Sequence, residues 1–276
     1  MPIRQWGGKG TLEGSLSRPS DVASDPQGRL YVVERRGCRV SVFYPSGDLF
    51  NAWGRFGKGL GAMDMPVAVG VNATGEVYVL EHYRSRVKVY DRRGKYLFYW
   101  GSRGRDAGEF SAPRGLAIDS RGDVYVADTG NRRVQKFDRG GGLLYELPGA
   151  PDEGFVSPAA LAFDHLDNLY VLDRGAKDVL VFSTTGGYLR KWNPGKIKAR
   201  DDFRPVDVAV EGKKWVFVLD RGTRCVYRFD LKWERAGKFC AGKRAVFPQK
   251  PAAVHADDGY LYIVDDRNNL VYKFSI

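Results

Sequence analysis

The residues best equipped for chemistry in this chain of 276 are few and scattered. His82, His165 and His255 could transfer a proton or ligate zinc. Asp25, Asn72, Asp119, Asp164, Glu211 and Asp257 offer the oxygen ligands that suit calcium. Cys38, Cys225 and Cys240 include no CxxC, so a structural zinc site is not expected. Lys and Arg number 44 against 33 acids, and 28 of those cations are arginine. The formal charge of +11 favours anionic partners.

What these residues can do depends on the elements that hold them, and those elements repeat. Prolines open six units at Pro19, Pro66, Pro113, Pro158, Pro205 and Pro251, with gaps of 47, 47, 45, 47 and 46 residues. A fixed period of this size marks an array of one supersecondary unit. Within residues 113–138, apolar runs at 115–118, 124–127 and 134–137 are bounded by turn residues. Each has strand length and β-branched or aromatic content. A fourth run follows a Gly-containing turn, as at 96–100. No window carries a sustained helical period. Each unit therefore reads as a four-stranded antiparallel meander, strands a to d.

The units agree by position. Strand b ends in Glu34, Glu81, Asp128, Asp173, Asp220 and Asp265, and strand a ends in the oxygen-bearing set above. One such sheet cannot bury both faces alone, so six pack around an axis. The sixth unit stops at its strand c, while residues 3–7 form a spare strand ending in Trp-Gly, as do 53–54 and 100–101. The N-terminal strand is thus expected to complete the last blade and remove the open edge. The predicted fold is all-β, a six-bladed β-propeller of four-stranded antiparallel blades forming a single domain over 1–276.

The units resemble the NHL repeat, in PRGLAID (113–119), GDVYVAD (122–128) and NRRVQKFD (131–138). The resemblance extends over the whole chain and implies a six-bladed propeller, a fold that hosts lyases, lactonase-like hydrolases, RNA readers and protein-binding scaffolds. Two departures stand out. Asp207 replaces the usual Gly in unit five, and unit six is one residue short before strand b.

The repeat recasts the chemistry. Counted from each proline, His82 is at +16, His165 at +7 and His255 at +4, so the histidines are not expected to converge on one ion. The carboxylates closing strand a recur in every unit, which reads as turn-making by Asp and Asn. No Ser or Cys is expected by register beside a histidine, and neither G-x-S-x-G nor a phosphate loop occurs. No catalytic residue, metal ligand or cofactor is assigned.

In a meander the b–c and d–a loops share one pole. Candidate binding residues there are Arg35, Arg36, His82, Tyr83, Arg84, Arg132, Arg174 and Arg221, with Arg103, Arg105, Lys196 and Lys198 from the d–a segments. Arg39, Arg86 and Arg133 instead occupy the repeat's own position before strand c, where each can pair with the acid ending strand b. The expected function is a non-catalytic binding or scaffold module holding a protein or other anionic partner on this basic face. Single-stranded RNA on the same face is the alternative, and a metal-assisted lyase or lactonase-like enzyme the second. No DNA-reading motif and no membrane span is read, and a monomer is expected. Residues 1–12 hold no apolar leader, which fits a cytosolic protein or an exported one with its leader removed. Cys225 and Cys240 fall roughly opposite each other in unit five, where a disulfide and two free thiols are both open.

Overall fold

A computed structural model describes residues 2–10, 13–194, 202–240 and 248–276. Strand β1 is Arg4–Gly7. The first blade follows as Pro19–Ser24, Leu30–Glu34, Arg39–Phe43 and Leu49–Trp53 (β2–β5). The second is Pro66–Val71, Val77–Glu81, Arg86–Tyr90 and Tyr96–Trp100 (β6–β9). The third is Gly115–Ile118, Val124–Asp128, Arg133–Phe137 and Leu143–Leu147 (β10–β13). The fourth is Pro158–Phe163, Leu169–Asp173, Asp178–Phe182 and Tyr188–Trp192 (β14–β17). The fifth is Pro205–Glu211, Trp215–Asp220, Cys225–Asp230 and Arg235–Cys240 (β18–β21). The sixth contributes Pro251–Asp257, Tyr260–Asp265 and Leu270–Ser275 (β22–β24). The described residues thus make six four-stranded antiparallel sheets. None of their helices is long and apolar enough to cross a membrane.

The inner strands pack in a ring, β2 on β6 and so on to β22, which returns to β2. The core is divided into six apolar clusters, one between each pair of neighbouring blades. Strand b is buried along its whole length in blades one to four, and past its first residue in blades five and six, because sheets cover both its faces. Strand d has one face in water and alternates accordingly in the first two blades.

The ring is closed as expected. β1 pairs with β24, from Arg4 opposite Lys273 to Gly7 opposite Leu270. Trp6 then occupies the place that Trp53 and Trp100 hold in other blades. Each indole packs under the c–d turn glycine of the next blade. A Cβ at Gly47, Gly94 or Gly141 would lie 2.9, 2.2 or 2.5 Å from Trp6, Trp53 or Trp100. All three glycines have φ between +86° and +89°, so the turn and the indole both demand glycine.

Candidate anion-binding site at the channel mouth

The carboxylates that end strand b serve the scaffold. Glu34, Glu81, Asp128, Asp173, Asp220 and Asp265 are fully buried. Each accepts backbone amides from the segment entering its own blade. Ser17 N–H donates to Glu34 at 2.7 Å, Asp64 to Glu81 at 2.6 Å, Ser111 to Asp128 at 2.7 Å and Arg204 to Asp220 at 2.6 Å. Arg39, Arg86 and Arg133 complete three of these sites, with Nε 2.6, 2.5 and 2.9 Å from the acid. This is the pairing expected of in-register arginines.

The oxygens at the end of strand a close turns. Asp25 accepts from Gln27 and Arg29 N–H, Asn72 from Thr74 and Glu76, and Asp164 from Leu166 and Asn168. Among the described residues no three His, Cys, Asp or Glu gather in a way that could hold a metal.

The residue directly after each strand-b acid faces the mouth of the central channel. Blade by blade these are Arg35, His82, Thr129, Arg174, Arg221 and Asp266. Three of them clip their blade to the proline that opens the next. His82 Nδ1 lies 2.9 Å from Pro113 O, Thr129 Oγ1 donates to Pro158 O at 2.7 Å, and Arg221 Nε to Pro251 O at 3.0 Å. Asp266, almost fully buried, draws Lys250 to 2.7 Å and Arg35 to 3.6 Å.

The structure therefore divides the predicted basic face. Arg84 is tied to Asp64 at 3.0 Å and Arg35 to Asp266, so these two are partly neutralised rather than free for a partner. Arg36, Tyr83, Arg103, Arg105 and Arg132 are exposed. Lys196 and Lys198 lie outside the described residues. Arg174 makes no ion pair among the described residues and borders a cleft of about 350 Å³ with Arg114, Lys177, Arg204 and Ser157. No carboxylate lines this cleft among the described residues. Burial, and then the guanidiniums of Arg114 and Arg221, push Arg174 below the usual arginine range. Arg114, Lys177 and Arg204 were missed in the sequence. Arg114 and Arg204 flank the unit-opening Pro113 and Pro205, and Lys177 lies in the b–c loop of blade four. Arg114 is the only charged residue directly following a unit-opening proline.

Below the mouth, the inner strands enclose a channel of about 360 Å³ that Arg114 also borders. Asp21 and Asp207 lie at equivalent positions in blades one and five, each deep among the strands with one side on the channel. Asp21 accepts the amides of Val22 and Val69, both at 2.9 Å. Asp207 accepts those of Val208 at 2.9 Å and Val254 at 2.7 Å. Burial pushes the Asp21 carboxyl up to about 7. Burial first, and then Asp21, hold Asp207 well above the carboxylate range.

One expectation is overturned in the channel. A serine does stand beside a histidine: Ser24 Oγ is 2.9 Å from His255 Nε2. Neighbouring inner strands are staggered by one residue, so +5 of blade one meets +4 of blade six. Counting equal registers could not reveal the pair. Burial lowers the His255 pKa and favours the neutral ring. No acid lies within hydrogen-bond reach of its other nitrogen among the described residues, so the pair lacks the group that would orient a general base.

In blade five, Cys225 and Cys240 stand directly opposite across β20 and β21 and are joined as a disulfide, S–S 2.07 Å. Cys38 is buried and free.

Six blades of this topology carry a recognisable repeat, and residues 16–43 and 110–137 match the NHL repeat. The chain is a six-bladed propeller that carries NHL repeats at those residues. No curated protein matches this propeller by sequence. Among solved structures it is similar to a virginiamycin B lyase of Staphylococcus aureus, at 14% identity and TM-score 0.66 over 96% of this chain and 86% of that one. A gluconolactonase of Xanthomonas campestris matches at 16% identity and TM-score 0.69, over 94% and 86%. A chain of a nidogen–laminin complex matches at 18% and 0.65, over 83% and 82%. At such identities the NHL-repeat propeller shares a fold with enzymes and a binding protein alike, and the fold selects neither.

Proposed function

We propose that this propeller is a binding module that holds a protein partner through the partner's anionic groups, at the pole formed by the b–c and d–a loops. The observation that carries the reading is the cleft of Arg114, Arg174, Lys177 and Arg204, with no carboxylate lining it among the described residues. Close like charges raise one another's energy, and a bound anion relieves them.

A second observation favours a protein. The same pole displays Phe56, Leu60 and Tyr83, which are 74%, 68% and 64% exposed. The loop carrying the first two is held from beneath by Lys88, whose buried ammonium donates to the carbonyls of Gly59, Leu60 and Ala62. Firmly displayed aromatic and apolar side chains alongside arginine are what protein interfaces favour.

The test is titration with an acidic peptide and with single-stranded RNAs of varied sequence, each across a range of NaCl. The acidic peptide should bind, and the double variant Arg114→Ala/Arg174→Ala should weaken it at least tenfold. RNA held by phosphate contacts alone would lose affinity steeply with salt and ignore sequence. Sequence-selective RNA binding at physiological salt would replace the protein reading, and failure to bind either probe would end it.

A further inference from the structure

The channel contains three equivalent pairs of inward-pointing amides, and the chain supplies a carboxylate to two of them. In each blade the residue three past the opening proline sits opposite the middle of strand b. The six pairings are Val22 with Val32, Val69 with Val79, Leu116 with Val126, Leu161 with Val171, Val208 with Val218 and Val254 with Ile263. At this register the amide points away from strand b and toward the channel, because antiparallel pairs alternate between bonded and non-bonded. The hydrogen bonds of Val22 and Val69 to Asp21, and of Val208 and Val254 to Asp207, confirm the direction.

Each aspartate spans its own blade and the next: blades one and two, then five and six. The remaining pair is Leu116 and Leu161, in blades three and four. The residue at the aspartate's position there is Gly115. A Cβ on Gly115 would come within 2.4 Å of the Ala159 carbonyl oxygen, so the chain cannot place a side chain there. Arg114, the preceding residue, borders both the channel and the cationic cleft, and Arg174 borders that cleft.

We propose that the amides of Leu116 and Leu161, beneath Arg114 and Arg174, form a binding site for a carboxylate presented by a ligand. The ligand's carboxylate would take the third of the places whose other two are filled by Asp21 and Asp207. Backbone N–H groups beside the Arg114 guanidinium, with Arg174 in the adjoining cleft, are a strong arrangement for an oxyanion. Burial favours the protonated form of Asp21 and Asp207, which limits the negative charge such a group would meet at neutral pH. This inference rests on the reading of the pole as an anion-binding surface. It is narrower, naming the carboxylate and two backbone donors inside the channel. The carboxylate could be a protein C-terminus or a small free acid.

The experiment is an amide-resolved NMR titration of the full chain with three probes at constant ionic strength held by NaCl. These are acetate, a pentapeptide with a free C-terminus, and the same pentapeptide amidated. The Leu116 and Leu161 amides should move downfield and saturate with acetate or the free-terminus peptide, and stay still with the amidated one. Val22, Val69, Val208 and Val254 should not move. A free-terminus peptide binding at least tenfold tighter than acetate identifies a protein terminus; comparable affinities identify a small acid. Arg174→Ala should weaken the response at least tenfold. Silence at Leu116 and Leu161, or equal movement at all six amides, would overturn the proposal. If the acidic peptide still binds the pole while these two amides stay silent, the binding-module reading stands and the carboxylate site alone falls.

Discussion

The carboxylate of Asp21 in the first blade accepts the amide of Val69 in the second at 2.9 Å, and it does so from a position where its own ionisation is raised to about 7. Two amide hydrogen bonds favour the charged form, and burial among the inner strands outweighs them. The unfolded carboxyl ionises near 3.8. Between those values the folded protein keeps a proton that the unfolded chain has released. Stability therefore falls as pH rises from about 4 toward 7, then levels off. Asp207 shifts in the same direction. Denaturant midpoints should show a loss on the order of 2 kcal/mol between pH 5 and pH 8. Asp21→Asn should reduce that slope, leaving the share due to Asp207, and an unchanged slope in the variant would assign the titration to other groups.

Closure depends on β1. Trp6 is only 8% exposed and packs against Phe43 and Tyr262. Trp6→Ala should cost about 3 kcal/mol. Removing residues 1–8 should lower the melting temperature sharply, because blade six would lose a strand and β24 would become an open edge. A deletion that melts with the intact chain would refute closure by this strand.

Adjacent arginines in the third blade should behave oppositely. Arg133 reaches Asp128 at 2.9 Å and Glu146 at 2.8 Å, whereas Arg132 is exposed. Arg133→Ala leaves a buried carboxylate short of a charged donor and should cost about 2 kcal/mol. Arg132→Ala should fall within about 0.5 kcal/mol of the parent. Chemical denaturation of both decides whether the in-register arginine is structural.

Thiol titration under denaturing, non-reducing conditions should find one free thiol, from Cys38. In the native state Cys38 should react slowly, because burial raises its pKa and shields it. The Cys225→Ser/Cys240→Ser pair should cost about 3 kcal/mol for a bridge spanning 15 residues. Finding three thiols would mean that the bridge does not form in the protein as prepared.

The blade count, the meander, the closing strand and the buried partners of Arg39, Arg86 and Arg133 were legible in the sequence alone. These are local or recur in every unit, so six copies state the same rule. The arrangement of the blades in space settles which cations lack an ion pair. Asp266 reaches Arg35 across the join between the last blade and the first, while Arg174 makes no ion pair among the described residues and has Arg114 and Arg221 for neighbours, opposed by Asp207. It also decided the one-residue stagger that joins Asp21 to Val69 and Ser24 to His255. Contacts between blades link residues roughly one repeat apart or more, through geometry that no single unit encodes. Asp207 was visible as a departure from the repeat. Its effect, and the meaning of Gly115, became legible only when the inner strands stood side by side around the channel.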